Sequence, residues 1–176
     1  MSEAIELIKN SIRDVPDFPK PGILFKDIAP MMENPAAFRA CIDCFEEKWS
    51  GQGIQKIAGL ESRGFPFGGA LADRMGVGFV MLRKPGKLPY KTHGVEYALE
   101  YGTDRIEMHV DAVSPGEKVL LIDDLLATGG TASAALELLV ERGRANVVGC
   151  AFVVELSFLD GAGKLGTVPY QALLTY

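Results

Sequence analysis

Cysteine is scarce, with three residues in a chain of 176. Three thiols cannot pair completely, and a chain of this length builds a core without disulfide staples, so a reducing cytoplasm is the expected location. Long apolar runs are missing: none approaches the roughly 18–20 residues that a membrane span needs. The start, Met1-Ser2-Glu3-Ala4, is acidic and enters an amphipathic stretch, unlike a secretory signal. Basic excess is lacking too. The 18 Lys and Arg stand against 23 Asp and Glu, a net charge of −5, which argues against broad nucleic-acid binding. A small anionic ligand stays open, because an acidic protein can carry a local basic pocket. There are two histidines, His93 and His109, neither with a metal-ligand partner in sequence, and both are expected at the surface. No low-complexity tract, repeat or long linker marks a boundary, so one domain over residues 1–176 is expected. Neither G-x-x-x-x-G-K-[ST] nor a G-x-G-x-x-G after a strand occurs.

What is present is an ordinary soluble balance, 48% hydrophobic and 23% charged. Ser2 can cap a first helix that aligns Ile5, Ile8 and Ile12. Pro16, Pro19 and Pro21 break it, Pro21-Gly22 turns, and residues 23–28 form a short extended piece. Asn34-Pro35 starts a helix to about Trp49. Buried strands are expected at 56–60, 79–82, 119–122 and 147–156, with helices ending at Gly76 and spanning Thr131 to Arg142 before Gly143. Residues 83–94 read as a long mobile loop. Residues 95–101 and 105–110 alternate with period two, an antiparallel ribbon with Gly102 in its turn. Residues 157–176 read as loop or short helix and a last strand.

Apolar strands alternating with helices imply an α/β fold, a mostly parallel twisted sheet flanked by helices, which binds ligands at the carboxyl ends of its strands. The unusual residues sit there: Glu61-Ser62-Arg63-Gly64, Arg83-Lys84, Asp123-Asp124 and Glu155 each follow or end a strand. The most informative run is Val119 to Thr131. A buried strand delivers two adjacent carboxylates, and a loop with Thr128, Gly129, Gly130 and Thr131 then opens a helix. Helix N-terminal N–H groups, two glycines and two hydroxyls suit a phosphate monoester. The carboxylates suit sugar hydroxyls or a divalent metal. Together they describe a ribose 5-phosphate. Cys41 and Cys44 form a lone C-x-x-C in a helix, and packing is expected there and at Cys150 in preference to zinc.

The Val119–Thr131 run resembles the phosphoribosyl pyrophosphate signature of the type I phosphoribosyltransferases. Four further stretches, 18–28, Gly59-Leu60-Glu61-Ser62-Arg63-Gly64-Phe65, 83–89 and Leu99-Glu100-Tyr101-Gly102, are similar to the adenine-specific family among them, in order and over nearly the whole chain. The resemblance implies that fold, with a small N-terminal hood for base recognition at 1–34 and a flexible ribbon lid at 83–101. It implies purine salvage: adenine and phosphoribosyl pyrophosphate give AMP and pyrophosphate. Phe25, which without the resemblance reads as an ordinary core residue, would stack on the purine. Backbone groups of Leu24 and Lys26 would read its edge, and Leu156 would pack on it. Lys26 departs from the Arg common in the family. Glu61, Ser62, Arg63, Arg83, Lys84 and Lys87 would hold pyrophosphate, although Lys87 and Lys91 also suit a solvated loop. Asp123 and Asp124 would hold the ribose hydroxyls and Ala127, Thr128, Gly129, Gly130 and Thr131 the 5-phosphate. Glu100 would manage the proton of the reaction, with Arg63 beside it in catalysis; by pattern alone Glu100 matches exposed ribbon residues such as Glu96 and Glu107. Tyr101 would contact substrate. Mg²⁺ would ride mainly on substrate oxygens near Asp123 and Asp124, with no direct protein ligand assigned. A homodimer is implied, with no nucleic-acid or membrane partner.

Overall fold

The structure, a computed structural model, describes residues 2–99 and 102–176. The chain divides into two compact units, Met1–Lys48 and Trp49–Tyr176.

In the first unit, helix α1 (Ser2–Asn10) places Ile8 in the core. Ser2 is its first helical residue, so it is not the cap before the helix, and Ile12 lies beyond its end. Strands β1 (Arg13–Pro16) and β2 (Leu24–Asp27) pair antiparallel, with Asp14 opposite Lys26 and Val15 opposite Phe25. The polar Arg13-Asp14 start and terminal Pro16 hid β1 from the sequence reading. What stabilises it is side-chain pairing across the hairpin: Arg13 to Asp27 at 2.8 Å and Lys26 to Asp14 at 2.6 Å. The connecting turn closes where the Gly22 N–H donates to Asp17 Oδ1 at 2.7 Å, and its Phe18–Pro19 peptide is cis. A short α2 (Ala29–Glu33) precedes α3 (Pro35–Trp49). Asn34 caps α3 as expected, its Oδ1 accepting from Ala36 N–H at 3.0 Å and Ala37 N–H at 3.3 Å. Cys41, Cys44 and Phe45 are buried on that helix, and neither cysteine is in a disulfide.

The second unit is built on a five-stranded parallel sheet. Strand β3 (Lys56–Leu60) leads through α4 (Gly64–Met75) to β4 (Gly78–Leu82). Gly76 closes α4 in the left-handed conformation expected of it. An antiparallel ribbon follows, β5 (Thr92–Leu99) with β6 (Gly102–His109). Strand β7 (Lys118–Leu126) then enters α5 (Gly130–Glu137), which continues as a π turn to Arg142. Strand β8 (Asn146–Glu155), two 3₁₀ turns at Ser157–Leu159 and Gly161–Leu165, and β9 (Tyr170–Thr175) complete the unit. The order across the sheet is β4-β3-β7-β8-β9. The chain therefore winds one way from β3 to β4 and the other way from β7 to β9. The carboxyl ends of β3 and β7 flank the reversal, where an open α/β sheet leaves a crevice. Ile57, Leu121, Ile122, Cys150 and Phe152 are buried in its strands. Burial pushes the Cys150 thiol up to about 12.

Several boundaries differ from the sequence reading. The loop after β4 is shorter than 83–94, because Thr92, His93 and Gly94 already pair in the ribbon. Gly102, with φ 107°, opens β6 opposite Leu99. Strand β7 extends four residues past Ile122, so Asp123 and Asp124 lie inside it, paired along β8 from Asp123↔Phe152 to Leu126↔Glu155. Gly143 is not a left-handed cap: its φ is −82°, and a side chain there would meet the Leu139 carbonyl at 2.8 Å. Glu107 is buried, since Arg83 bridges its backbone and Arg105 Nε lies 3.1 Å from its carboxylate. The histidines are half-buried, and Tyr90 meets His109 edge-on with ring centroids 6.1 Å apart.

Candidate active site

A cleft of about 430 Å³ opens at the carboxyl ends of β3 and β7. From the turn after β3 come Glu61, Ser62 and Arg63; the Glu61–Ser62 peptide is cis. From β7 come Asp123 and Asp124, and from the following loop Ala127, Thr128, Gly129, Gly130 and Thr131. Lys84, just after β4, joins them, while Leu125, Leu126 and Ala132 line the cleft without having been singled out.

Local packing explains this convergence. Helix α4 starts against the end of β7: a Cβ on Gly64 would lie 2.8 Å from the Ile122 carbonyl and 3.0 Å from Asp123 Oδ1. Glycine there lets the Glu61–Arg63 turn sit beside the carboxylates. Arg63 Nε donates to Asp124 Oδ2 at 2.6 Å, with the Asp124 side chain buried and the guanidinium about half exposed. Asp123 Oδ1 accepts from the Asp124 N–H at 2.9 Å. Burial first and the neighbouring Asp124 charge second push the Asp123 carboxyl well above the usual aspartate range, against the pull of that backbone N–H and of Arg63. Two adjacent carboxylates, Asp124 buried and Asp123 half-buried, suit neutral donors such as a vicinal diol, which compensates their lost hydration.

The loop that follows β7 opens a helix into the cleft. Gly129 caps α5 in the left-handed conformation, φ 73°, with no side-chain cap, and the first helical residues Gly130, Thr131 and Ala132 line the cleft. The loop is braced from behind by Gly161, which touches it so closely that a Cβ on Gly161 would overlap the Ala127 carbonyl and lie 2.9 Å from the Gly129 nitrogen. This brace was missed in the sequence, where Gly161 is one of three glycines between residues 161 and 166 and carries no local signature.

The basic residues are held by acids. Glu61 accepts from Arg83 Nε at 3.1 Å and from the Lys84 N–H at 2.9 Å. Burial would raise the Glu61 carboxyl, but these bonds outweigh it and keep it below the usual range. Arg83 is thus turned onto Glu61, also donating to the Lys87 carbonyl at 3.2 Å, and neither Arg83 nor the exposed Lys87 lines the cleft. The Lys84 ammonium meets Asp104 and the Tyr97 hydroxyl. Burial would lower it, but those partners hold it above the ordinary lysine range, and Lys84 in turn holds Asp104 below the aspartate range.

Other predicted residues lie elsewhere. Glu155 is buried and accepts from the Tyr170 hydroxyl at 3.1 Å, away from the cleft lining. Leu156 is half-buried, its N–H bonded to the Leu126 carbonyl at 2.9 Å. Leu24, Phe25 and Lys26 belong to the first unit, where Phe18 packs edge-on against Phe25 with centroids 5.1 Å apart. Glu100 and Tyr101 lie outside the described residues. Among the described residues no cluster of three or more His, Cys, Asp or Glu could hold a metal ion, and no helix is long and apolar enough to cross a membrane.

Known proteins share this sequence and architecture. The profile of the phosphoribosyl transferase domain matches residues 31–164. The adenine phosphoribosyltransferase of Thermosynechococcus vestitus is 55% identical over 169 residues, 96% of this chain and 99% of its own. The crystal structure of the Rhodothermus marinus adenine phosphoribosyltransferase superposes with a TM-score of 0.93 at 51% identity, covering 100% of both chains. The Saccharomyces cerevisiae enzyme, crystallised with adenine and an imino-altritol bisphosphate, gives 0.93 at 44% identity, covering 99% of this chain and 100% of its own.

Proposed function

The chain belongs to the adenine phosphoribosyltransferases of the phosphoribosyl transferase domain family, and we propose that it performs their purine-salvage reaction, joining adenine to the phosphoribosyl group of phosphoribosyl pyrophosphate to give AMP and pyrophosphate. The observation that carries this reading is one cleft in which a pair of carboxylates, buried Asp124 and half-buried Asp123, a helix N-terminus and two cationic residues meet at the reversal of the sheet.

Asp123 and Asp124 accept from the ribose hydroxyls. The 5-phosphate sits on the N–H groups and hydroxyls of Ala127–Thr131. Ser62, Arg63 and Lys84 face the pyrophosphate, with Glu61 setting Arg83 and the Lys84 backbone beside it. Lys87 is a solvent-side reserve of charge. Adenine N9 bonds to ribose C1 as the bond to pyrophosphate breaks, through a charge-separated transition state. Arg63 stabilises the departing charge, and Glu100 handles the proton that adenine gives up. General acid–base catalysis of this kind supplies about 10²–10⁴-fold. Phe25 stacks on the purine, and backbone groups of Leu24 and Lys26 read its edge. The Lys26 side chain is committed to Asp14, which fits a backbone role and makes its replacement of the family's Arg tolerable. Leu156 offers an apolar surface to the base. Residues 83–101, Tyr101 included, exclude water so that ribose meets adenine and not hydroxide.

Magnesium fits as a passenger of the substrate. Asp124 is engaged by Arg63 and Asp123 by a backbone N–H, which leaves no protein cage but hard oxygens nearby for a largely hydrated ion. Bound to the pyrophosphoryl oxygens, it would neutralise leaving-group charge. A cytoplasmic homodimer completes the reading.

The test is nucleotide formation from phosphoribosyl pyrophosphate and Mg²⁺ with adenine, hypoxanthine, guanine and orotate in parallel. AMP from adenine alone is expected. Product from another base would overturn the base assignment, and no product with any base would overturn the enzymatic reading.

A further inference from the structure

Two cations line the cleft, and each is paired with a carboxylate. The partner of Arg63, Asp124, is itself in the cleft and is assigned to ribose. The partner of Lys84 is different. Asp104 stands on the ribbon, outside the cleft lining, and the reaction as proposed gives it nothing to do. It faces Tyr97 directly across the ribbon, and the Tyr97 hydroxyl lies 3.1 Å from Asp104 Oδ2 and 2.9 Å from the Lys84 ammonium. We propose that Asp104, assisted by the Tyr97 hydroxyl, is the resident counter-ion of Lys84, which the pyrophosphate end of the substrate displaces, so that Asp104 sets how tightly pyrophosphate is held and how readily it leaves. The inference rests on the phosphoribosyl-transfer reading of the same cleft.

The alternative role for Asp104, holding Lys84 in position, is already filled. The Lys84 backbone is fixed by the bond from its N–H to Glu61 at 2.9 Å, so Asp104 governs the ammonium and not the main chain. An ammonium has three donors. Two are taken by Asp104 and Tyr97, and the carboxylate cancels the charge that would draw in a polyanion. The other carboxylate oxygen, Asp104 Oδ1, is committed as well, accepting from the Arg105 N–H at 2.8 Å, so the carboxylate is held in place when the ammonium turns away. Interactions that grip substrate and product alike lower KM without raising kcat. A counter-ion that competes with pyrophosphate keeps Lys84 from gripping the product after transfer.

Asp104→Asn tests this because it keeps shape and an acceptor but removes the charge. Binding of magnesium pyrophosphate by calorimetry and the KM values for phosphoribosyl pyrophosphate and adenine are the readouts. The variant should bind pyrophosphate about two- to fivefold more tightly, the scale of a partly exposed ion pair. KM for phosphoribosyl pyrophosphate should fall likewise, adenine KM should not move, and the gain should shrink as salt is raised. Tyr97→Phe should shift both in the same direction by less, which keeps the idea testable if Asp104→Asn folds poorly. In a Lys84→Met background, Asp104→Asn should change nothing. Unchanged or weaker pyrophosphate binding would overturn the proposal, as would an effect that survives in the Lys84→Met background. A wild type that forms AMP and binds pyrophosphate while the variants match it refutes this inference alone. A wild type that binds pyrophosphate but forms no AMP refutes the reaction and leaves the calorimetric comparison to decide the role of Asp104. A wild type that does not bind pyrophosphate refutes the counter-ion role outright.

Discussion

Replacing Asp123 with asparagine should raise stability and lower activity in one step. Its carboxyl is pushed well above the usual aspartate range, chiefly by burial and then by Asp124. A group whose folded pKa exceeds its unfolded value contributes stability that is fully present below the unfolded pKa, and loses it as pH rises through the folded one. At neutral pH the folded chain therefore holds Asp123 at a cost. Asp123→Asn removes the charge and keeps an oxygen to accept the Asp124 N–H, now at 2.9 Å. A stabilising change at a strained functional position is commonly worth on the order of 1 kcal/mol. For a chain of this size that raises Tm by about 2–4 °C. In catalysis the sign reverses. The ribose hydroxyls lose a charged acceptor, about 1.5–3 kcal/mol, which is about 10- to 150-fold in kcat/KM for phosphoribosyl pyrophosphate.

Thermal unfolding of both proteins without substrate at a series of pH values, beside steady-state kinetics at neutral pH, measures the two effects. The Tm advantage of the variant should be present at pH 7 and vanish as pH drops below the unfolded aspartate value of about 3.9, where both side chains are neutral. A variant no more stable at pH 7, or an advantage unchanged on acidification, refutes the burial argument. An unchanged kcat/KM refutes the ribose contact, whatever stability does.

Phe25→Ala should raise the adenine KM by about 5- to 150-fold, the range for one base–aromatic stack of about 1–3 kcal/mol, with phosphoribosyl pyrophosphate KM steady; equal KM values for adenine would remove the stacking role. Glu100→Gln should lower kcat by about 10²–10⁴-fold with little change in either KM, and a wild-type kcat would transfer the proton to another group. Gly161→Ala, which drives a methyl into the Ala127 carbonyl, should cost about 1–3 kcal/mol of stability as overpacking and raise KM for phosphoribosyl pyrophosphate more than for adenine; an unaltered ratio of the two would show that the loop tolerates the push. Cys41, Cys44 and Cys150 are buried with raised thiol pKa values, so Ellman's reagent should modify them only as the protein unfolds, and rapid labelling of the native chain would contradict their burial.

What was legible in the sequence followed from local rules. Asn34-Pro35 announces a helix because cap and first position are both chemically special there, and Gly76 closes α4 because only glycine takes that conformation cheaply. The central strands show as short apolar runs because a parallel sheet covered on both faces needs them. What escaped was tertiary. Strand β1 has no apolar alternation and exists through pairing with β2, and the extension of β7 past Ile122 is stabilised by ladder bonds to β8 that no window on β7 alone contains. Glu107 has the pattern of a solvent-facing ribbon residue and is buried because Arg83 reaches across from β4.

The same division runs through the cleft. Asp123, Asp124 and the Ala127–Thr131 loop are nearly contiguous, so their meeting in one cleft could be read in one line of sequence. The basic side of the cleft could be listed but not arranged. Arg83 and Lys84 are adjacent in sequence, yet Glu61 turns the Arg83 side chain onto itself and takes only the backbone N–H of Lys84, leaving the ammonium for the cleft. Which of two neighbouring cationic residues lines the cleft is decided by an acid more than twenty residues away, and what pairs with it is decided by the ribbon register that sets Asp104 opposite Tyr97. A one-residue slip of β6 against β5 would turn Asp104 to the other face and free the ammonium, with the same consequence for pyrophosphate as removing the Asp104 charge.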